Sequence, residues 1–355
     1  MRILMATGLT YLPQRVGGAQ SSMHDFAEAL IARGHEVAIL ASLDISDRLG
    51  QLNRLKRNLF RWNRYPCDRW AGYKVYRGWN PASGVREIVR RFQPDIIFIH
   101  VEDTLRFAAA SRAINLPAVV YLHDVEFHNL TAEPHDLTGI TWLANSHYTA
   151  NKFKATYGLE ATVLHNIIKK ENYQVPDHKG GYVTFINPHP WKGVELAFAI
   201  AQTCPDIPFL FVECWRLPKQ EQAALQKRIQ QTNNITWRPR SLDMREVYRD
   251  TSLLIVPSQC EEAWGRVVTE AQINSIPVLA SNRGGLPEAV GNGGLILPQD
   301  DPAPWIEAIH TLWYNAEQRL NLGIAAGKRA NAIELSLPYI AQTLEDHLLQ
   351  AATFA

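Results

Sequence analysis

The chain has 355 residues, which predicts about two domains at roughly 150 residues per domain. Its 46% hydrophobic and 20% charged residues are ordinary for a globular protein and exclude a disordered, collagen-like or low-complexity chain. The net charge of +1 excludes a protein that is basic throughout, so we expect no coating of nucleic acid.

Cysteine usage and hydropathy predict a cytoplasmic protein. Cys67, Cys204, Cys214 and Cys260 form neither a C-x-x-C pair nor a metal-ligand spacing, which is typical of reduced thiols. No stretch approaches the roughly 18 apolar residues of a membrane span. The start at 1–6 has one charge and a short apolar run, which favours a buried strand over a signal peptide. We therefore expect the mature chain to begin at Met1.

In the first half, short runs rich in Ile, Val and Leu alternate with segments of helical period. This pattern predicts βαβ units whose sheet is covered on both faces. The predicted strands are Arg2–Ala6, Glu36–Ala41, Ile96–Val101, Ala118–Leu122, Thr141–Ala144 and Thr162–Leu164. The first helix is predicted over Ser21–Arg33, with Gly34 as its C-terminal cap.

The segment Arg48–Arg91 is strongly basic. It holds twelve Lys and Arg residues against Asp68 and Glu87, an excess of +10 in a chain of net charge +1. Its first part has apolar residues at helical spacing and tryptophans nearby, namely Leu49, Leu52, Leu55, Leu59, Phe60, Trp62 and Trp70. A basic amphipathic stretch of this kind suits an anionic membrane surface, and it suits an anionic acceptor equally. The alternative is a solvated helix–loop insertion.

A second series of strands and helices follows a polar linker at Lys169–Gly181. The predicted strands are Val183–Ile186, Phe209–Glu213, Ile235–Arg238, Leu253–Val256, Val278–Ala280 and Gly294–Leu297. The predicted helices are Val194–Gln202, Lys219–Gln231, Met244–Asp250 and Val267–Asn274, with a last helix over Pro338–Gln350.

The predicted fold class is α/β, with two doubly wound Rossmann-like domains that face each other across a cleft. We expect an N-terminal domain at 1–168, a C-terminal domain at 169–337, and a terminal helix at about 338–355 that packs back on the first domain. The carboxyl ends of such sheets are their usual ligand sites. This arrangement suits a nucleotide on one side and a second substrate on the other.

The first βα turn contains Gly17 and Gly18 and leads directly into a helix. Paired glycines let backbone N–H groups approach an anion, and the helix N-terminus adds partial positive charge. The turn has neither the G-x-G-x-x-G pattern nor the P-loop pattern, so a dinucleotide oxidoreductase is disfavoured. A flexible turn capped by Ser21 or Ser22 is the structural alternative.

Two glutamates in the segment Ser258–Leu297 have a spacing that suits a nucleotide site. Glu262 and Glu270 are eight residues apart, so that both carboxylates can line one crevice if a helix begins between them. Gly265, Arg266 and Val267 would then present free N–H groups to a phosphate. A carboxylate in the helix body suits the two hydroxyls of a ribose.

This segment resembles the E-x7-E element of the retaining GT-B glycosyltransferases of glycosyltransferase family 4, group 1. The resemblance extends over most of the chain. It includes the turn at Gly17-Gly18, Gly34-His35-Glu36-Val37, His123-Asp124, Asn145-Ser146, Leu164-His165-Asn166 and Trp191-Lys192-Gly193.

The resemblance implies a role for each matched residue. Glu270 would bind the nucleotide ribose, Glu262 the hydroxyls of the donor sugar, and Lys192 the leaving diphosphate. The backbone at 265–267 would also contact the diphosphate. Gly17 and Gly18 would lie against the donor phosphate or the acceptor, and His123 would face the reacting centre in a positioning role.

One position departs from the family pattern. Family members usually carry an arginine four residues before the lysine, where this chain has Pro188. The missing positive charge could come from Arg266, His189 or Arg240. Arg266 is the first choice, because it follows Gly265 at the expected phosphate end of the helix.

No spaced D-x-D pair is present, and Asp300-Asp301 reads as two solvated turn acids, so we expect no metal and no cofactor. The expected enzyme is a retaining, metal-independent glycosyltransferase of the hexosyltransferase type. It would move a sugar from a nucleotide diphosphate, with UDP as the expected nucleotide, to a saccharide or lipid-linked saccharide acceptor. The alternatives are a sugar-nucleotide epimerase of the same fold and a non-catalytic nucleotide-sugar-binding subunit.

Overall fold

The computed structural model describes residues 1–59, 64–127, 139–215, 217–241 and 243–353. The chain divides into two compact units, Met1–Ile167 with Ser336–Ala355 and Ile168–Leu335. Three residues of the predicted basic surface, Phe60, Arg61 and Trp62, lie outside the described ranges.

Strands and helices alternate through both units. The strands are β1 (Arg2–Thr10), β2 (Glu36–Ser42), β3 (Cys67–Asp68), β4 (Lys74–Gly78), β5 (Ile96–Ile99), β6 (Ala118–Leu122), β7 (Thr141–Ala144), β8 (Thr162–Val163), β9 (Tyr182–Ile186), β10 (Phe209–Val212), β11 (Ile235–Arg238), β12 (Thr251–Val256), β13 (Val278–Ser281) and β14 (Gly294–Leu297). The helices are α1 (Gly18–Ala32), α2 (Arg48–Leu59), α3 (Val85–Phe92), α4 (Thr104–Arg112), α5 (His147–Tyr157), α6 (Val194–Thr203), α7 (Lys219–Gln230), α8 (Arg245–Arg249), α9 (Arg266–Gln272), α10 (Leu286–Val290), α11 (Ala303–Tyr314), α12 (Ala316–Ala330) and α13 (Leu337–Thr353).

The first unit is built on an eight-stranded sheet in the order β3-β4-β2-β1-β5-β6-β7-β8. All neighbouring pairs are parallel except β3 and β4. The basic segment therefore contributes two strands, which the hydropathy pattern did not predict. They were missed because β3 has only two residues and β4 carries Lys74 and Arg77. Arg77 is fully buried, and its guanidinium is paired with Asp68 at 2.6 Å.

The second unit is built on a six-stranded parallel sheet in the order β11-β10-β9-β12-β13-β14. The direction of winding reverses between β9 and β12, which are adjacent and parallel. In doubly wound sheets, ligands bind beyond the carboxyl ends of the strands at this reversal. A ligand site is therefore expected at the loops that follow β9 and β12.

Each sheet is covered on both faces by apolar clusters. The strands are rich in buried β-branched and aromatic residues, as expected for parallel sheets between two helical layers. Helix α13 packs in the first unit against α1, β5 and β6. Its buried residues are Ile340, Ala341, Leu344 and Leu348.

Within the described ranges, no helix combines the length and the apolar composition needed to cross a membrane.

One carboxylate adds a polar contact to the apolar packing of α13. Glu345 accepts hydrogen bonds from the Arg33 guanidinium, one of them at 2.9 Å, and lies 2.7 Å from Nε2 of His35. The hydrogen bonds from Arg33, helped by those from His35, hold the pKa of Glu345 below its ordinary value. A depressed pKa means that the pair stabilises the fold at neutral pH and ceases to do so in acid.

We expect Glu345→Gln to lower the free energy of unfolding of the first unit by about 1 kcal/mol at pH 7, since the pair is partly exposed. The difference from wild type should shrink as the pH falls below the ordinary Glu value of about 4.3. Urea unfolding at several pH values measures this. Asp346→Asn is the control, because among the described residues the Asp346 side chain is hydrogen-bonded to Gln342 on the surface of the same helix. Equal effects of the two substitutions would contradict the assignment.

Candidate active site

Lys192 is held by a tight turn after β9. A short 3-10 turn at Pro190–Lys192 leads into Gly193, whose φ of +82° is in the left-handed region. A Cβ atom on Gly193 would lie 1.9 Å from the carbonyl oxygen of Pro257, just after β12. The turn is also tied to that loop by Gln259 N–H, which donates to the carbonyl of Trp191 at 2.9 Å. These contacts press the loop after β9 against the loop after β12.

The contact between the two loops brings Lys192 and Glu262 together as a close ion pair. Nζ of Lys192 lies 2.5 Å from Oε1 of Glu262, and the hydroxyl of Ser258 donates to the same oxygen at 2.7 Å. The two charged side chains are only 17% and 15% exposed. Burial is the largest single influence and lowers the pKa of Lys192, but Glu262 together with the Cys260 and Cys214 thiols outweighs it, so that the pKa lies above its ordinary value. Lys192 is therefore a cation at neutral pH.

The backbone of Glu262 is fixed from its other side by two glycines. Gly285 N–H donates to the carbonyl of Glu262 at 2.6 Å. Gly284 has a φ of +60°, and a Cβ on it would lie 2.1 Å from the same carbonyl oxygen. The sequence Gly284-Gly285 thus allows the start of α10 to touch the loop that carries Glu262.

An aromatic cluster surrounds Lys192. The ring of Trp215 has the Lys192 ammonium 5.1 Å from its centroid, a cation–π contact. The ring of His189 lies 5.5 Å from the rings of both Trp191 and Trp215. Asn187 positions Trp215, because the side-chain oxygen of Asn187 accepts the backbone N–H of Trp215 at 3.1 Å. Trp191 and Trp215 are exposed, so they offer flat apolar surfaces to a ligand near Lys192.

Glu270 lies in the body of α9 and is buried. The hydroxyl of Tyr248 donates to its Oε2 at 2.8 Å, and Nε of Arg266 lies 3.7 Å from its Oε1. Burial raises the pKa of Tyr248 well above its ordinary value, and the nearby Glu270 adds to the effect, so Tyr248 remains a donor. Arg266 also lies 3.4 Å from the Tyr173 hydroxyl. Its charge is therefore directed to Glu270.

The expected phosphate end of α9 begins at Gly265, whose φ is +87°. Gly265, Arg266 and Val267 form the first turn. The left-handed φ favours glycine here, and a Cβ on Gly265 would also lie 2.6 Å from the end of the Leu286 side chain.

The thiol of Cys214 marks a point near which three of the predicted site residues converge. Burial raises the pKa of Cys214, while Arg240 lowers it, Glu270 raises it and Lys192 lowers it. Arg240 follows β11, is exposed, and has no hydrogen bond or ion pair with another residue in the part of the chain that the structure describes. Lys192, Glu270 and Arg240 thus each influence the same thiol electrostatically.

Pro188 stands where the family has an arginine, and the sequence offered Arg266, His189 and Arg240 as sources of the missing positive charge. The structure makes Arg266 and His189 less suited to supply it. Arg266 is engaged by Glu270. Partial burial lowers the pKa of His189, with Glu221 opposing and Lys192 reinforcing the shift, so that His189 is mainly neutral at pH 7. Arg240 is the remaining cation.

In the first unit, Gly17 and Gly18 begin α1. Gly17 is the N-cap in an extended conformation, and no side chain of the described residues caps the helix. The long turn before it is held down by Gln20, which donates to the carbonyl of Thr10 at 3.0 Å, and by Gln14, which donates to the carbonyl of Asp44 at 2.6 Å. The first N–H groups of α1 thus lie beyond the carboxyl end of β1.

His123 follows β6 at the same edge of this sheet. Its ring lies 5.7 Å from that of Tyr121, and its carbonyl accepts from the side chain of Asn145 at 3.4 Å. With Glu102 and Asp124 it lines a small recess. His100 is buried nearby, and burial together with His123 lowers the pKa of His100.

The other matched dipeptides of the first unit have scaffolding roles. Ser146 caps α5 by accepting the N–H of Thr149 at 3.0 Å. His165 Nδ1 lies 3.0 Å from the carbonyl of Asn145, and Asn166 accepts from the Ser22 hydroxyl at 3.1 Å. These bonds tie the loops after β7 and β8 to each other and to α1.

Sequence reasoning missed three residues of the second unit, Ser258, Trp215 and Tyr248. Trp215 and Ser258 each follow the end of a strand, and that position is the signal that could have found them. Tyr248 lies on α8, 22 residues before its partner Glu270, and its sequence neighbourhood carries no comparable signal.

The Gly193 turn gives a direct test of this geometry. If this site holds the nucleotide that the sequence resemblance implies, Gly193→Ala should weaken its binding by at least about tenfold, because the collision with Pro257 moves Lys192 while the left-handed φ adds about 1–2 kcal/mol of strain. Calorimetric titration with UDP measures the effect. Gly34→Ala is the matched control, since Gly34 has a φ of +89° and open space around its Cβ position. Unchanged UDP binding in Gly193→Ala would contradict the placement of Lys192.

Comparison with known proteins gives two family matches that together span most of the chain. Residues 16–172 match Glycosyltransferase Family 4, and residues 184–315 match Glycosyl transferases group 1.

Curated relatives include D-inositol 3-phosphate glycosyltransferases. That of Corynebacterium efficiens is 41% identical over 86 residues, which are 24% of this chain and 20% of the relative. That of Corynebacterium diphtheriae is 34% identical over 154 residues, which are 39% of this chain and 36% of the relative. The chain thus matches about a fifth to a third of the length of these relatives.

Solved structures resemble the whole chain. Anabaena HepE in complex with UDP-glucose has a TM-score of 0.79 at 18% identity, covering 98% of this chain and 99% of that one. Sucrose-phosphate synthase from Thermosynechococcus elongatus has a TM-score of 0.77 at 15% identity, covering 100% of both chains. At these identities the likeness shows a common fold. The chain has the GT-B fold and belongs to the group 1 glycosyltransferases of family 4.

Proposed function

We propose that this protein transfers a sugar from a nucleotide-diphosphate donor, with UDP as the nucleotide, to a saccharide or lipid-linked saccharide. The observation that carries the proposal is the Lys192–Glu262 pair beyond β9 and β12, at the point where the second sheet reverses its winding. Family membership supports the same reaction, and a protein of the same fold has been solved with UDP-glucose.

The second unit supplies the donor site in this proposal. The Glu270 carboxylate accepts hydrogen bonds from the ribose hydroxyls, and Glu262 accepts them from the donor sugar. Lys192 and the backbone N–H groups at 265–267 bind the diphosphate. As the bond between sugar and phosphate breaks, negative charge grows on the leaving phosphate, and a preorganised ammonium stabilises that charge more than it stabilises the bound donor.

Arg240 is our choice for the second positive charge at the diphosphate. Arg266 is paired with Glu270, and His189 is mainly neutral, whereas the Arg240 guanidinium is exposed and acts on the same thiol as Lys192. This assignment reverses the order of preference that the sequence suggested.

Retention at the anomeric carbon follows in the proposal from the leaving phosphate acting as the base. The phosphate accepts the proton of the acceptor hydroxyl while the new bond forms on the same face, so no protein nucleophile is required. His123, in the first unit, hydrogen-bonds the sugar or the acceptor and positions it.

The proposed acceptor side includes a peripheral contact with the inner face of the cell membrane. The excess of +10 over Arg48–Arg91 supports this contact, since the rest of the chain is acidic. A lipid-linked saccharide in polysaccharide or glycolipid synthesis would be reached at that surface.

The nucleotide site is tested by two substitutions. Glu270→Gln should weaken UDP binding by the equivalent of about 1.5–3 kcal/mol, the usual range for hydrogen bonds to a charged group. Lys192→Ala should lower turnover by roughly 100-fold, because its charge is needed most as the diphosphate leaves. Calorimetry and a transfer assay with UDP-sugars, compared with GDP- and ADP-sugars, measure both effects.

Glu317→Gln is the matched control, since Glu317 is an exposed carboxylate on α12 of the same unit. UDP affinity that is equal in wild type, Glu270→Gln and Glu317→Gln would refute the ribose assignment.

Metal independence is a separate prediction. Asp301 accepts the N–H of Ala303 at 2.9 Å in the turn before α11, which supports its interpretation as a turn acid. We expect transfer to continue at its full rate in excess EDTA. Loss of transfer on chelation, with recovery on adding magnesium or manganese, would show that the protein charges are insufficient.

The alternatives give distinct products. A sugar-nucleotide epimerase would convert the donor sugar without any acceptor. A non-catalytic binding subunit, which the loss of the arginine at Pro188 favours, would bind UDP-sugar and leave it intact with every acceptor. Proton NMR of a UDP-sugar incubated with and without acceptor separates these outcomes from transfer.

A further inference from the structure

Arg77 is a cation with no exposed area, on a strand that the hydropathy pattern did not predict. Its Nε donates to Asp68 at 2.6 Å, and its Nη2 lies 3.4 Å from the same carboxylate. The guanidinium also reaches the turn at 11–17, which joins β1 to α1. Nη1 donates to the carbonyl of Tyr11 at 3.2 Å, and Nη2 donates to the carbonyl of Leu12 at 2.5 Å. One buried side chain of β4 therefore holds two successive carbonyls of the turn.

A second contact fixes the same end of the turn. The hydroxyl of Tyr11 lies 2.7 Å from that of Tyr73, which in turn lies 2.7 Å from Nδ1 of His24 on α1. Burial raises the pKa of both tyrosines, so both hydroxyls keep their protons at neutral pH. The main chain and the side chain of Tyr11 are thus held by separate groups.

Other residues of this region are open to solvent, at a place where a ligand is expected. Arg15, Val16 and Gly18 are exposed. The first sheet reverses its winding between β1 and β5, which are adjacent and parallel. Ligands of doubly wound sheets bind beyond the carboxyl ends of the strands at such a reversal. The turn at 11–17 is therefore anchored in the interior and exposed where a substrate of the first unit would bind.

Stability alone does not account for a buried arginine at this position. A buried arginine–carboxylate pair loses the hydration of both charges, and apolar side chains of similar volume often give an equally stable or more stable protein. Apolar side chains cannot supply the rigid, planar fork of donors that an arginine directs at fixed acceptors. Precision matters at a substrate site, since a displacement of about 1 Å can lower a rate by about 100-fold.

We propose that Arg77 is a positioning residue, which holds the turn at 11–17 in the geometry in which it meets the substrate of the first unit. Asp68 serves the same purpose indirectly, because it supplies the negative charge that allows the guanidinium to be buried. The inference rests on the proposed function, since it assigns the turn to the acceptor side of the transfer reaction.

The test uses the double variant Asp68→Leu with Arg77→Met in the full chain. Both charges are removed together, so no unpaired charge is left inside and the melting temperature should stay within about 3 °C of wild type. Hydrogen–deuterium exchange over residues 9–20 should be at least about tenfold faster, because the turn can open locally. The N–H of Gln14 lies in this segment and donates to the Tyr11 carbonyl at 3.1 Å. Exchange over β5 should be unchanged.

The same variant should transfer sugar poorly. We expect kcat/KM to fall at least about tenfold, measured with UDP-glucose and the acceptor on which wild type is active. Arg77→Lys keeps a positive charge beside Asp68 but lacks the planar fork, so it should fold and should show the same fast exchange and slow transfer.

The matched control removes another arginine–carboxylate pair of the first unit. Arg33→Met with Glu345→Leu acts at the opposite end of α1. We expect exchange over residues 9–20 and the rate of transfer to equal those of wild type in this control.

Three results would overturn the inference. The first is unchanged exchange over residues 9–20 in the double variant or in Arg77→Lys. The second is faster exchange throughout the first unit, which would show a structural role only. The third is normal transfer despite fast exchange of the turn, which would show that the turn does not position a substrate. A wild type that transfers sugar from no UDP-sugar would refute the proposed function instead, and exchange would still decide whether Arg77 holds the turn.

Discussion

Lys192 and Glu262 are 70 residues apart in sequence and 2.5 Å apart in space, and the packing of the loops after β9 and β12 brings them together. Strands β9 and β12 are neighbours only because the sheet reverses its winding between them. Their two loops can then touch only because Gly193 has no side chain to strike Pro257. A buried ammonium and carboxylate would each be costly alone, so the two loops must pack closely enough for the charges to offset each other.

The second glutamate, Glu270, is also buried together with partners for its charge. Glu270 is buried beside Tyr248 and Arg266, so its charge is balanced before any ligand arrives. An ordinary carboxylate on a helix points to water and needs no such partners. A glutamate is almost never fully buried unless it is paired, so the buried position of Glu270 depends on these two partners. The charged groups of the candidate site are thus held in place by their partners in the absence of a ligand.

The sequence predicted the central strands well because parallel strands between two helical layers are short apolar runs. It did not predict β4, since Arg77 reads as a surface residue until Asp68 is seen beside it. Periodicity identified a helix at the start of the basic segment but not its orientation, which depends on Gly50 fitting against Asp44. Motifs identified both glutamates and the lysine, whereas the partners Tyr248 and Trp215 come from contacts between distant elements.

The central claim is that Glu262 balances Lys192 in the empty site and binds the sugar of the donor in the filled one. Comparison of UDP with UDP-glucose binding to Glu262→Gln, by calorimetry, tests it most directly. The account predicts that UDP affinity stays equal to that of wild type or rises, because Lys192 is released to the diphosphate. It also predicts that UDP-glucose affinity falls at least about tenfold, through loss of charge-assisted hydrogen bonds to the sugar. Equal losses for the two ligands would contradict the account.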